Sequence, residues 1–259
     1  MAQYYTGNNS LRADNKSQFE MMMLNNQSIY SAPFELAVAR GLIPGVQGPS
    51  ISGYQGAVST SWIPLWDGGA VSYVYPVSAA AVGVWSSSAS DTNIVVNITG
   101  LDADYNLQTE TVTLTNGSTG VLTTKSFLRI NNIVSTTNGV GAIHCGSSDK
   151  AATYAQIPIG TTRSSMTIFT VPNGYTFYLT QVNVYTNQNG NQYTNYRSWT
   201  QTPAGVATPI LQFPLVSGYN SVKIVPRPYP GKTDIQWQFN SSATSQVGAQ
   251  IEGYLILGG

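Results

Sequence analysis

Apolar and polar residues alternate with a period of two along most of this 259-residue chain. Successive side chains of an extended strand point to opposite faces, so such alternation marks strands with one buried face. Ile235, Trp237 and Phe239 alternate with Gln236, Gln238 and Asn240, while Val247, Ala249, Ile251, Leu255 and Leu257 share a face against Gln250, Glu252 and Tyr254. The Thr- and Val-rich runs TNIVVNITG and TETVTLTNG flank LDADYN, whose Asp and Asn side chains suit a turn, and SFLRINNIVS follows after NGSTG. Strand runs also lie on both sides of Pro172, Asn173 and Gly174, a turn tripeptide. Pro203, Pro209, Pro214, Pro226, Pro228 and Pro230 demote neighbouring runs to edge strands or loops, because proline donates no ladder hydrogen bond. No stretch carries a long helical period. The pattern predicts an all-β protein of one or two antiparallel, jelly-roll-like β-sandwich domains behind an extended N-terminal arm.

The arm is the first gap in the alternation. Residues 1–32 hold one apolar cluster, Met21, Met22, Met23 and Leu24, flanked by Asn and Gln. Flexible methionines fill irregular gaps, so the cluster either anchors the arm in a partner's groove, ordering only on binding, or belongs to a frayed terminus with a short helical turn. Next comes PFELAVARGLIPG. Leu36, Ala37 and Ala39 favour a helix; Phe34, Leu36 and Val38 alternating with Glu35, Ala37 and Ala39 favour a strand. Seven residues are few for a helix and typical for a strand, so a strand opening the globular body at Phe34 is expected. The second gap, NGVGAIHCGSSDKAA, reads as a long loop or a link between halves. The expected organisation is an arm at 1–33, a first sandwich region at 34–150 and a second at 151–259. No short repeat of fixed period occurs, which argues against a solenoid or propeller.

Composition sharpens this picture. Charged residues make up 8% of the chain, against roughly 25% in an ordinary soluble domain. Eleven cations cancel eleven carboxylates, so neither nucleic acid nor an anionic membrane is expected as a partner. No apolar run approaches the roughly 18 residues of a membrane helix, and MAQYYTGNNS lacks the basic and apolar regions of a signal peptide. Cys145 is the only cysteine, which excludes an internal disulfide framework and fits folding in a cytoplasm. Asn, Gln, Ser and Thr carry the polarity, a surface suited to being covered by neighbours. Asn-X-Ser/Thr triplets at Asn26, Asn97, Asn116 and Asn240 follow from that richness alone.

Reactive chemistry is sparse. His144 is the only imidazole, which removes a Ser-His-Asp triad and His-rich zinc sites. Its neighbour Cys145 falls on the opposite face of an extended segment, so the two do not form a dyad unaided. Asp102 and Asp104 lack the further ligands and closing Glu of a calcium loop, and lie too close in sequence to flank a sugar without Asp67 or Glu110. Capping of a local turn explains them more simply. WDGGA and NGVGAIHCGS lack the lysine of a phosphate loop. No catalytic residue, cofactor or metal is expected. Sixteen Tyr and five Trp, dense around Tyr175–Trp199, offer large contact area at low entropic cost. The candidate partner-binding residues are Met21, Met22, Met23, Leu24, Tyr30, Phe34, Tyr193, Tyr196 and Trp199, facing a protein neighbour first and a glycan second.

From Phe34 onward, FELAVARGLIPG, WIPLWDGG, SSSASDT, VNITGLDADYNLQTETVTLTNG, SFLRINNIVS, QIPIGTTRSSMTIFTVPNGYTFYLTQVNVY, VKIVPRP and GAQIEGYLILGG follow in order. Together these blocks resemble virion structural proteins of tailed bacteriophages, common among marine and cyanobacterial phages. The resemblance implies membership of a phage particle assembled in the host cytoplasm, and carries no catalytic signature. It implies no defined position in that particle; the neutral, amide-rich surface and the arm lead to the expectation of a head decoration (cement) protein on the major capsid protein, homo-oligomeric with a trimer favoured. The alternatives are a tail fibre or adhesin on host surface glycans, a collar or baseplate part, and, more remotely, a tail enzyme using Asp67, Asp102, Asp104 or Glu110.

Overall fold

The computed structural model describes residues 33–258 except 189–191, 204, 206, 216 and 217. The chain divides into two compact units, Met1–Pro44 and Gly45–Gly259. The first contributes one described element, helix α1 (Phe34–Ala39). This corrects the strand expected there and moves the start of the β body to Gly45. The reason lies at the helix end. Gly41, at φ +67°, takes the left-handed conformation that glycine adopts without a Cβ penalty. The amides of Gly41 and Leu42 then donate to the carbonyls of Val38 (2.9 Å) and Ala37 (2.9 Å), the paired bonds of a Schellman ending. Glu35 in the first turn suits the helix dipole.

The second unit is all-β, its strands numbered in chain order and every pairing antiparallel. Two sheets form a sandwich around one core. One sheet runs β1 (Val46–Gln47), β17 (Ser245–Leu257), β12 (Tyr175–Thr186), β15 (Gly218–Tyr229), with β2 (Ile51–Val58) also on β17. The other runs β11 (Ile168–Thr170), β16 (Asp234–Ser241), β13 (Thr194–Gln201), β14 (Ala207–Leu215), with β3 (Ile63–Pro64) also on β16. Trp237, Phe239, Ile235, Phe177 and Val247 fill the space between them, as the alternation predicts. Each such large side chain contributes on the order of 2–3 kcal/mol by leaving water. Leu257, expected on the same face as Val247, is exposed at the strand end.

A second pair of sheets encloses a separate core. One runs β10 (Thr153–Ile157), β9 (Ile143–Gly146), β4 (Ala80–Ser86), β7 (Val121–Phe127); the other runs β6 (Leu107–Leu114), β5 (Ile94–Leu101), β8 (Arg129–Ser135). Val84, Val96, Ile98, Ile133 and Ile143 fill this core. SFLRINNIVS, a single run in the sequence, is split. Leu128 forms a corner, its amide bonded to the Leu101 carbonyl at 2.8 Å, and the chain passes from one sheet to the other. Gly100 permits the close passage, since a Cβ there would overlap the Arg129 carbonyl.

The division at 150/151 needs correction. β9 and β10 are hydrogen-bonded neighbours across it, so most of the supposed link is a hairpin. Residues 51–65, moreover, pack into the core built by residues 169–255. The chain crosses between cores at two adjacent pairs. Leu65 enters one core and Trp66 the other; Ile168 enters one and Phe169 the other. In both pairs the two-residue period of an extended backbone supplies the switch.

One ion pair ties β8 to β16. Arg129 donates through Nε to Asp234 Oδ1 and through Nη2 to Oδ2, both at 2.8 Å. Nη1 donates to the carbonyls of Leu128 (2.8 Å) and Pro76 (3.2 Å), and the Thr170 hydroxyl donates to Asp234 Oδ1 at 2.6 Å. The Tyr75 ring lies 4.6 Å from the guanidinium carbon. Burial works against the charged guanidinium, and the bonds and charge of Asp234 more than reverse this, holding its pKa above the usual value. Breaking one side of a buried pair strands the other charge. We expect Arg129→Met to cost about 3–5 kcal/mol in urea denaturation, and Arg129→Met with Asp234→Leu to recover a large part of it.

Candidate interaction surface

Of the carboxylates that sequence reading raised for chemistry, Asp102 and Glu110 are held in structural roles, while Asp104 stands exposed. Asp102 closes the β5–β6 turn: Oδ1 accepts the amides of Asp104 (2.9 Å) and Asn106 (2.8 Å), and Oδ2 accepts the Asn106 side-chain amide (3.1 Å). Partial burial raises its pKa and these bonds outweigh it, leaving the carboxyl below its usual range. Glu110 on β6 accepts the amides of Thr124 (2.7 Å) and Lys125 (2.8 Å) on β7. Asp91 lies buried where it accepts the amides of Val140 (2.6 Å) and Gly141 (3.0 Å) and the Ser86 hydroxyl, fixing the approach to β9. Cys145 points into the core, and burial pushes its thiol up to about 12. His144 points the other way and stacks on Trp85 with ring centroids 5.3 Å apart. Burial lowers its pKa, so the ring is neutral near pH 7. Among the described residues, no three or more His, Cys, Asp or Glu side chains converge as a metal site.

The candidate partner-binding residues are dispersed. Met21, Met22, Met23, Leu24 and Tyr30 lie outside the described residues. Phe34 is exposed on α1, and Tyr193 is exposed just before β13. Tyr196 is corrected: it is 1% exposed and packs in the core around Trp237 and Phe177, its ring 5.5 Å from Phe239. Trp199 is half-buried on the outer face of β13.

That outer face is built from amides. β13 and β16 set Asn195 opposite Asn240, Arg197 opposite Gln238 and Trp199 opposite Gln236. Asn195 Nδ2 donates to Asn240 Oδ1, Arg197 Nε to Gln238 Oε1, and Gln238 Nε2 to Gln236 Oε1, each at 2.7 Å. The Arg197 guanidinium carbon sits 4.3 Å from the Trp62 ring centroid. A crevice of about 200 Å³ elsewhere, lined by Ile51, Leu107, Met166 and Ile168, has its polar rim engaged internally. There Asn131 exchanges two bonds with the Thr170 backbone, and the Asn132 side-chain oxygen accepts the Ser164 hydroxyl.

An exposed pair of adjacent apolar residues was not among the predicted residues. β15 pairs with β12 through Gln181–Val222 and again through Leu179–Arg227, so a single β12 residue faces Lys223, Ile224, Val225 and Pro226. The bulge throws Ile224 (98% exposed) and Val225 (81% exposed) outward, flanked by Lys223 and Arg227. The sequence signal was VKIVPRP: three apolar residues around a cation, directly before two prolines that interrupt the ladder.

No protein-family model matches the chain, and no curated protein matches it. Two solved structures are similar to it. The D431N mutant VP2 protein of infectious bursal disease virus, in derived T=1 particles, is 10% identical, with 90% of this chain and 77% of that one covered and a TM-score of 0.24. Infectious bursal disease virus Gt strain is 12% identical, with 88% and 79% covered and a TM-score of 0.21. At such scores the all-β architecture is read from the sheets themselves.

Asp67 remains as a titrating group. Its Oδ2 accepts the Ser165 amide at 2.5 Å, next to the Trp66–Met166 bridge. Burial pushes its pKa to about 6 from 3.8, with the Ser165 amide pulling partly back. A raised folded-state pKa means the protonated form stabilises the fold below about 3.8, and that contribution is lost as pH rises through about 6. Thermal unfolding between about pH 4 and pH 6 should show this loss in the wild type and its absence in Asp67→Asn.

Proposed function

We propose that this chain is a non-enzymatic structural protein of a virus particle, and within that class a head decoration protein of a tailed phage, bound to the major capsid protein. One observation carries the reading: Asp91, Asp102 and Glu110 are closed into structural bonds, while Ile224 and Val225 stand almost fully exposed on a sheet edge. An apolar protrusion of that kind marks a contact surface. The resemblance of the ordered sequence blocks to tailed-phage virion proteins supports the same class, and the equal numbers of cations and carboxylates let many copies lie side by side without strong mutual repulsion.

Quantifying the protein in purified particles tests the assignment. On the order of hundreds of copies per particle is the expected result for a head position; roughly a dozen would move it to the tail, and absence would end the proposal. The Trp62–Arg197–Trp199 face favours a second reading, a tail adhesin, since rings beside amides suit sugars. On that reading glycan-array binding is present in the wild type and lost in Trp199→Ala.

A further inference from the structure

The two sandwiches treat their edges differently. On the first in chain order, built from residues 66–168, side chains lock β6 to β7: Glu110 takes the Thr124 and Lys125 amides, Gln108 Nε2 donates to the Ser126 carbonyl (2.6 Å), and Lys125 Nζ donates to the Thr109 carbonyl (2.7 Å). Its other side is closed by residues 162–164, where the Ser135 amide donates to the Thr162 carbonyl (2.8 Å) and the Ile133 amide to Ser164 Oγ (3.0 Å). On the second sandwich, β14 and β15 end their sheets with no further strand among those described. They follow one another in the chain, so both sheets stop on the same side. This side lies three strands from β11, the strand next to the first sandwich. Here β15 carries the Ile224–Val225 protrusion, with Lys223 donating only to Ser221 Oγ (3.0 Å) and Arg227 resting near the Tyr229 ring.

Charge divides along the same axis. Residues 66–168 carry six carboxylates against four cations; residues 169–258 carry four cations against two carboxylates. Nearly every carboxylate in the second unit is engaged by a hydrogen bond, Asp149 with Ser147 Oγ and Glu252 with Gln250 Nε2 included. Asp104 accepts no hydrogen bond from the described residues. It stands exposed on the β5–β6 turn, three residues from the exposed Leu107.

We propose that the β15 protrusion of one copy docks on the first sandwich of a second copy of this chain, with Ile224 and Val225 against the exposed Leu107 and Arg227 against Asp104. The contact is heterologous: two different surfaces of the same molecule meet. Such contacts close into rings when the rotation permits, a trimer among them, and otherwise propagate. The net charges of −2 on residues 66–168 and +2 on residues 169–258 make the head-to-tail arrangement attractive and disfavour like meeting like. This deepens the structural-protein reading and rests on it.

Sedimentation velocity on the full-length protein tests the contact. The wild type associates with rising concentration, more weakly at high salt. Ile224→Asp with Val225→Asp, at positions so exposed that folding is preserved, weakens association at least about tenfold, and Asp104→Arg alone does the same. The decisive sample mixes the two variants. Each retains the surface the other has lost, so a one-to-one mixture forms dimers and stops there. A wild type that stays monomeric at high concentration, a β15 variant that associates like the wild type, or a mixture that remains monomeric overturns the proposal. Particles that take up the variants at the wild-type copy number would retire this contact and leave the structural-protein reading standing. Absence of the wild type from particles would end that reading whatever the sedimentation shows.

Discussion

The arrangement of the two sandwiches depends on Arg129 and Asp234. They stand 105 positions apart on β8 and β16, and their two-point bond is buried with Thr170, two backbone carbonyls and the Tyr75 ring. Removing two charges from water is costly, and the pair offsets this only because the remaining donors and lone pairs are also satisfied. The gain is geometric. A planar fork accepts a carboxylate in one orientation, so the pair fixes β8 against β16 more narrowly than apolar packing does. Asn131 reinforces the register two residues along β8 by bonding both the amide and the carbonyl of Thr170. A further tie joins Asn173, at the corner before β12, to the Tyr105 carbonyl on the β5–β6 turn.

With that junction fixed, polar side chains close the edges of the first sandwich, whereas β14 and β15 end the sheets of the second with no further described strand beside them. Glu110, Gln108 and Lys125 satisfy backbone groups that would otherwise face solvent on β6 and β7. An exposed strand edge is an invitation to pair, and natural sheets ordinarily blunt it. Pro226 and Pro228 do so on part of β15, restricting ladder formation near its end while the bulge displays its apolar residues. The edge is thereby shaped for side-chain contact more than for unlimited strand addition.

How much of this was legible in the sequence depended on the range of the interaction. Strands with one apolar face, such as Ile235–Phe239 and Ile94–Leu101, follow from local alternation, and so does the Asp102 turn. The helix at Phe34–Ala39 was missed because six residues carry too little period to outweigh a strand. The decisive signal was Gly41 followed by Leu42, a helix ending and not part of any periodicity. The switch at Leu128 was hidden, since alternation continues unbroken while the partner strands change. Tyr196 was misjudged because both faces of β13 are mixed: Thr194, Tyr196, Ser198 and Thr200 face inward, while Asn195, Arg197, Trp199 and Gln201 face outward. The Arg129–Asp234 pair is a tertiary fact that no window of local sequence contains.

The ladder of Asn195, Asn240, Gln238 and Gln236 has one further consequence. Carboxamides neither gain nor lose a proton in water at ordinary acidity, and the guanidinium of Arg197 beside them stays charged throughout. A face made this way has the same pattern of donors and acceptors in sea water, in cytoplasm or in an acidified compartment. Gln236 and Gln238 lie buried beneath it, and the part-exposed Asn195, Asn240 and Arg197 offer one unchanging chemical partner, while carboxylates elsewhere on the molecule respond to their surroundings.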